Sequence, residues 1–377
     1  MKKVLYVRNG PYVVNPSLYN LQEIGFCKAL ASKGISADII YYAPENKDEI
    51  IYKDDNAVIR ILWRKGYKFL RTGLYPSLLK KSFVNEYDMI ITTEYSQIMS
   101  LLWTYFKPKV VLYNGPYYNL FKIPFCEKIY DTLFVKAINK KVDKTFTKST
   151  KAQVYLEKKG FCNVSTLGVG LNNEIFEVES QTAPPHIQKI INYIKDTKNI
   201  LYVGSLDERK NFSFLIKVFK LVLKREKNIK LIVVGKGKRG YVDKCLSTVD
   251  NDIAKNIIIY DKVENKYLKE IYINSNAFVL PSKKEIFGMV LLEAMYFGVP
   301  TITSDNGGSS TLIQNANNGF IIKEFDEVLW SEVILNVIRD EQLSQMISNN
   351  AELNIKNNFT WDSIVDKFLS EISNIER

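Results

Sequence analysis

Short apolar runs alternate with longer stretches of helical period along the whole chain. Runs at 4–7, 37–42, 57–62, 89–93, 110–113, 144–147 and 164–167 read as buried strands, and 20–32 reads as a helix closed by Gly34. After a polar stretch the pattern restarts. Strands are predicted at 199–203, 230–234, 256–260, 277–280, 301–303 and 319–322, an amphipathic helix over 212–225, a further helix over 264–274, and a closing helix from 360 to about 375. Strand and helix alternating in this way predict parallel sheets in two α/β halves. The polar residues of 177–198, with Pro184 and Pro185, read as the boundary, with room for a short helix. The first domain is therefore placed at 1–178, the linker at 179–198 and the second domain at 199–359, with 360–377 returning to the first.

The chemistry is most concentrated in KKEIFGMVLLEAMYFGVPTITSDNGGSS, residues 283–310. Pro281 ends an apolar strand, a loop carries Glu285 to Phe287 and Gly288, and a helix runs from Met289 to Phe297 until Gly298 and Pro300 stop it. Its positions are almost all apolar or small, so the helix should be buried, and Glu293 inside it needs a partner. In an open α/β sheet, ligands bind beyond the carboxyl ends of the strands, and helix N-termini favour anions. One glutamate on the loop and one on the helix can hold a hydroxylated ligand at two points.

This stretch resembles the E-x7-E motif of the retaining glycosyltransferases of family four, down to the enclosing F-G, E-A-M and G-V-P elements. The resemblance implies a GT-B fold, two Rossmann-like α/β domains facing across a cleft. It also implies transfer of a sugar from a nucleotide-diphospho-sugar to a hydroxyl acceptor, with Glu285 on the sugar hydroxyls and Glu293 on the ribose. The donor is expected to be a UDP-sugar ahead of a GDP-sugar. Amides near Gly288, Met289 and Val290, beside Phe287, would meet the diphosphate. In the loop after 199–203, Gly204, Leu206, Lys210 and Asn211 match the family pattern, but Ser205 stands where arginine is common. Arg209 and Lys210 would neutralise the leaving diphosphate. Asp261-Lys262-Val263 resembles the loop that meets the base, and Gly168-Val169-Gly170 the turn that closes the family's first domain. In the first half, Gly10 would approach acceptor or donor phosphates, or serve simply as a turn. The family's cleft histidine is absent, leaving that place vacant or taken by Asn114 or Tyr113.

Composition narrows the chemistry. His186 is the single histidine among 377 residues, so a Ser-His-Asp triad or a histidine-rich metal site is not expected. No metal and no cofactor are expected. The first loop lacks a full G-x-G-x-x-G, against a dinucleotide. The four cysteines are widely spaced and suggest a reducing cytoplasm. Neither a signal peptide nor a spanning helix is read from the sequence.

The net charge of +11 is uneven: residues 1–180 hold 26 Lys and Arg against 17 Asp and Glu, residues 181–377 hold 26 against 24. A basic first half suggests an anionic partner. Within it, 63–83 interleaves Arg64, Lys65, Lys68, Arg71, Lys80 and Lys81 with Trp63, Tyr67, Phe69 and Leu78, the composition of an interfacial segment or of an amphipathic helix packed on the sheet. The expectation is a peripheral protein on the inner membrane face, acting on a lipid-linked or oligosaccharide acceptor of surface-polysaccharide synthesis, with no nucleic acid. The alternatives are a nucleotide-sugar epimerase or a phosphorylase on the same fold, a basic nucleic-acid-binding protein, and an inactive GT-B partner subunit.

Overall fold

The computed structural model describes residues 1–15, 21–69, 71–106, 108–121, 123–174 and 183–374. The first residue of the predicted 20–32 helix, Leu70, residues 179–182 of the expected linker and the last three residues of the chain lie outside these. Contacts divide the protein into two units, Met1–Asn172 with Phe359–Arg377, and Asn173–Asn358.

The first unit contains ten described strands: β1 (Lys3–Val7), β2 (Ser36–Ala43), β3 (Lys47–Lys53), β4 (Val58–Lys65), β5 (Tyr67–Phe69), β6 (Thr72–Leu74), β7 (Met89–Thr93), β8 (Lys109–Asn114), β9 (Lys144–Thr147) and β10 (Val164–Thr166). Eight of them form one sheet in the order β10-β9-β8-β7-β1-β2-β4-β3. The sheet is parallel except at one edge, where β3 runs antiparallel to β4. The sequence KDEIIYK explains both the position and why pattern reading missed it: β3 is charged and mostly exposed, as an edge strand must be to resist further pairing.

The segment 63–83 is not a helix. It leaves β4, turns back in the β5–β6 hairpin, and ends in short helical turns at Pro76–Leu78 and Lys81–Val84. Gly66 precedes this hairpin and Gly73 lies within its second strand, and Tyr75 and Leu78 drop into the core beside Trp103. The aromatic residues are divided between strand, hairpin and core, so their spacing has no helical period. The helix Trp361–Ser373 packs against the helix Gln22–Ala31 of this unit. Trp361 is buried there, with Phe26 meeting both Trp361 and Phe368 edge-on.

The second unit has β11 (Asn199–Val203), β12 (Lys230–Val234), β13 (Ile257–Tyr260), β14 (Ala277–Leu280), β15 (Thr301–Ser304) and β16 (Phe320–Ile322). Their order is β13-β12-β11-β14-β15-β16, every pairing parallel. This is a doubly wound sheet whose strand order reverses between β11 and β14. The short helix for which the expected linker left room is Pro185–Lys195, which buries Ile187, Ile190, Ile191 and Ile194. Four isoleucines at that spacing form an apolar stripe between polar residues.

Candidate active site at the strand crossover of the second unit

Because β11 and β14 are neighbours in the sheet but 77 residues apart at paired positions Ile200 and Ala277, the loops leaving their carboxyl ends come side by side. The first is 204–211. Tyr202 donates its hydroxyl to the Ser205 carbonyl at 2.7 Å, and Asp207 accepts from the Ser205 hydroxyl and the Lys210 amide, both at 2.7 Å. Burial works to raise the Asp207 pKa, but those two hydrogen bonds and the cations Arg209 and Lys210 hold it below the usual carboxylate range. An ionised Asp207 thus shapes the turn that aims Lys210.

The second loop, 281–288, is fastened to the first by the Lys283 amide on the Arg209 carbonyl, 2.9 Å. Across this seam the Lys210 ammonium donates to Glu285 Oε2. Arg209 lies 3.4 Å from the same oxygen and donates to the Lys284 carbonyl at 3.1 Å. Lys210 is buried and Glu285 nearly so, whereas the Arg209 side chain is 47% exposed. Arg209 and Lys210 thus converge on the Glu285 carboxylate in a half-shielded recess, with the ionised Asp207 under the same turn. From below, Gly307 donates its amide to the Glu285 carbonyl at 3.0 Å, and Gly308 lies so close that an added Cβ would stand 1.7 Å from the Phe287 carbonyl oxygen.

Gly288 has φ of 80°, the left-handed region that glycine takes without strain, and it opens the helix Met289–Tyr296 with no side chain capping that end. Phe287 is buried; Met289 and Val290 are half-exposed at the helix entry. Glu293 lies within the helix, buried, and accepts from the Tyr272 hydroxyl at 3.0 Å. Burial pushes its pKa up to about 7, against the lowering effect of that hydrogen bond. The two glutamates are therefore in different environments: Glu285 is matched with cations, Glu293 only with a phenol. Val263 is buried in the loop after β13, and no hydrogen bond ties it to the Lys210–Glu285 pair.

In the first unit the equivalent crossover lies between β1 and β7. Gly10 is buried there, and Asn9 beside it donates to Thr92, Thr93 and Ser100. Asn114 is fully engaged: its Oδ1 accepts from the Tyr95 amide at 3.2 Å and its Nδ2 donates to the Pro116 carbonyl at 2.9 Å. Tyr113 donates its hydroxyl to the Gly168 carbonyl. Sequence reasoning passed over Glu94, which has a φ of 61° and lies 3.9 Å from Arg71. Burial raises its pKa, while Arg71, Lys148 and Arg8 counter it. It also passed over Asp207 and Tyr272; an Asp three residues before a loop lysine was the available signal.

The family described as "Glycosyl transferases group 1" matches residues 185–354. An uncharacterised glycosyltransferase of Methanocaldococcus jannaschii is 27% identical over 65% of this chain and 68% of its own length. The capsular polysaccharide biosynthesis glycosyltransferase CapM of Staphylococcus aureus is 29% identical over 55% of this chain and 56% of its own. Among solved structures, Anabaena HepE in complex with UDP-glucose superposes with a TM-score of 0.71 at 14% identity, covering 99% of this chain and 100% of that one. The expected fold class is borne out: the strand orders and this likeness are those of a GT-B protein with two Rossmann-like domains. The family match spans the sheet, both loops and Glu293, so over residues 185–354 the second unit is similar to the group 1 glycosyl transferases.

Proposed function

We propose that the protein transfers a sugar, with retained anomeric configuration, from a nucleotide-diphospho-sugar to a hydroxyl acceptor. The observation that carries the reading is buried Lys210 held on Glu285 across the β11–β14 crossover, with Arg209 beside it. Departure of the diphosphate is the costly step, and fixed cations in a recess stabilise the charge it develops. Lys210 and Arg209 serve the leaving group, aided by amides near Gly288, Met289 and Val290. As the donor enters, Glu285 exchanges part of its cation contact for sugar hydroxyls, and Glu293 takes the ribose hydroxyls. Gly204 and Ser205 line the phosphate side, Val263 the base, and Gly10 and Asn114 belong to the acceptor-side loops of the first unit.

The departing phosphate oxygen takes the acceptor's proton, so no separate general base is assigned. No metal is required, since the two cations and the helix amides already face the diphosphate. A UDP-sugar is favoured: the HepE structure holds UDP-glucose. A lipid-linked glycan intermediate is the proposed acceptor, supported by likeness to the capsular polysaccharide enzyme CapM and by the basic first half. It would be met at an anionic membrane surface. No helix among the described residues is long and apolar enough to cross a membrane, so any such contact is from one side.

A thermal-shift screen of nucleoside diphosphates and their sugars tests the donor assignment. A ligand at 100 times its Kd adds about 2.7 kcal/mol to stability, a shift of several degrees. If no nucleotide raises Tm, the donor reading is wrong.

A further inference from the structure

The membrane reading, on which a docking surface depends, leaves open which face of the protein meets the bilayer, and the 63–83 segment does not supply a continuous one. The first unit does so elsewhere. Residues Pro124–Tyr130, Asp131–Val135 and Lys136–Lys141 succeed one another without a break, an α-helix interrupted by a five-residue π-helical stretch. At 1.5 Å per residue such a helix is roughly 27 Å long.

Its two faces differ sharply. Tyr130, Val135 and Ile138 are buried in the core of the unit with Leu112 and Leu156, and Phe134 and Ala137 pack against them. The opposite face carries Phe125, 67% exposed, Ile129, 44%, and Leu133, 61%, with Ile123 at 61% just ahead of the helix. Three large apolar side chains at a spacing of four residues form a stripe along the axis. Solvated helices do not usually keep such a row.

The charges around the stripe are sorted by sign. The helix has two acidic residues, Glu127 and Asp131, and both turn inward: Lys159 pairs with each of them, and the Tyr155 hydroxyl donates to Glu127. Lys128, Lys136, Lys140 and Lys141 are exposed, and no ion pair reaches any of them among the described residues. Lys141 instead lies 3.9 Å above the ring of Tyr105, itself 63% exposed. The outer face is therefore apolar along its centre and purely basic around it. That charge complements anionic lipid headgroups and gives no carboxylate with which a basic or zwitterionic protein surface could pair.

We propose that the helix 124–141 is the membrane-docking element: it lies in the plane of an anionic bilayer, with Phe125, Ile129 and Leu133 inserted among the acyl chains and Lys128, Lys136, Lys140 and Lys141 on the headgroups. A helix lying this way would set the protein on the leaflet without a spanning segment.

Co-sedimentation of the full chain with vesicles of phosphatidylcholine alone, or mixed equally with phosphatidylglycerol, tests this. Wild type should bind the mixed vesicles, weakly or not at all the neutral ones, and detach at high salt. The triple variant Phe125→Ser/Ile129→Ser/Leu133→Ser should lose binding by roughly tenfold or more for each side chain, with Tm retained because all three are exposed. Lys128→Ser/Lys136→Ser/Lys140→Ser should weaken it about fivefold per lysine and flatten the salt dependence. As a signal that does not depend on losing binding, the emission of Leu133→Trp should shift to the blue on mixed vesicles. If wild type binds but only Tyr67→Ser/Phe69→Ser in the β5–β6 hairpin abolishes binding, the helix is the wrong surface while the membrane reading stands. If wild type ignores anionic vesicles at low salt, both fall. If the triple variant instead turns a wild-type dimer into a monomer and vesicles are not bound, the stripe belongs to a second copy of the chain and the proposal is overturned.

Discussion

Lys210 and Glu285 are 75 residues apart in sequence, yet the lysine's ammonium donates directly to the glutamate's carboxylate. Among the described residues Lys210 forms its ion pair with Glu285 alone, and Glu285 has in addition only the exposed Arg209. Removing either member of the pair leaves a partly buried charge poorly compensated. Lys210→Ala is expected to cut turnover by roughly 10²-fold, the usual cost of one lost contact at a developing charge. Glu285→Gln should lower kcat chiefly, and the double variant should lose less than the product of the single losses because the two act as one unit. Strictly multiplicative losses in a kcat double-mutant cycle would argue that they work apart.

The proposed metal-free departure of the diphosphate gives a direct check on the same cations. With Lys210 and Arg209 carrying the diphosphate's charge, EDTA should leave turnover within about twofold, since no bound ion then offsets the leaving group. Loss of activity on chelation, restored by magnesium or manganese, would transfer that role to a metal.

Gly308 tests how far the loop geometry matters. Its φ is −67°, ordinary for any residue, so an alanine there is opposed only by what it meets. What it meets is backbone: Phe287 O at 1.7 Å and Phe287 C at 2.8 Å. Backbone cannot rotate away as a flexible side chain can, and the 285–288 loop must shift. Gly308→Ala should therefore lower kcat/KM by roughly 10²-fold, the order associated with an ångström of misplacement, while far-UV circular dichroism stays unchanged. Full activity in that variant would show that the loop's position is not critical.

Most of the scaffold was legible because buried parallel strands are written as unbroken apolar runs, and those runs need no tertiary information to recognise. The strands 89–93, 144–147, 199–203, 230–234 and 277–280 fall where the runs lie. What escaped was whatever depends on a neighbour. Strand β3 is polar because it is an edge, and the hairpin after β4 exists because Tyr75 and Leu78 need the core near Trp103. In the site, the motif residues were readable one by one. Their partners were not: nothing in the spacing pairs Lys210 with Glu285, or Glu293 with Tyr272, because loops from adjacent strands meet only once the sheet order is known.

The packing of the closing helix yields a prediction whose sign reverses. A Cβ on Gly25 would stand 2.0 Å from Trp361 Nε1 and 2.4 Å from Cδ1, against a ring buried in the core. Gly25→Ala gains about 1 kcal/mol in helix propensity but overpacks, at a cost of about 1–3 kcal/mol, and should be destabilising overall. In a Trp361→Leu background the obstruction is gone and the same Gly25→Ala change should stabilise, by up to about 1 kcal/mol. Urea melts of the four proteins decide it; the same sign in both backgrounds would refute the contact.

Glu293 gives the clearest pH signature. Its pKa is raised from the ordinary 4.5 to about 7 by burial, so the folded state holds a proton that the unfolded state has released. Stability from this group is fully present below pH 4.5 and is lost as pH rises to about 7, an effect of roughly 3 kcal/mol. Glu293→Gln is neutral throughout and can keep the hydrogen bond with Tyr272, so the increment should vanish: the variant should match wild type at pH 4 and exceed it at pH 8. Donor binding should move the other way. A carboxylate accepts from ribose hydroxyls best when ionised, so wild-type donor affinity should fall as pH drops below about 7, and the variant should bind weakly at every pH. A carboxylate that destabilises the fold at neutral pH yet tightens donor binding is one kept for its ligand. Parallel stability-against-pH curves for the two proteins, or unchanged donor affinity in the variant, would remove Glu293 from the site.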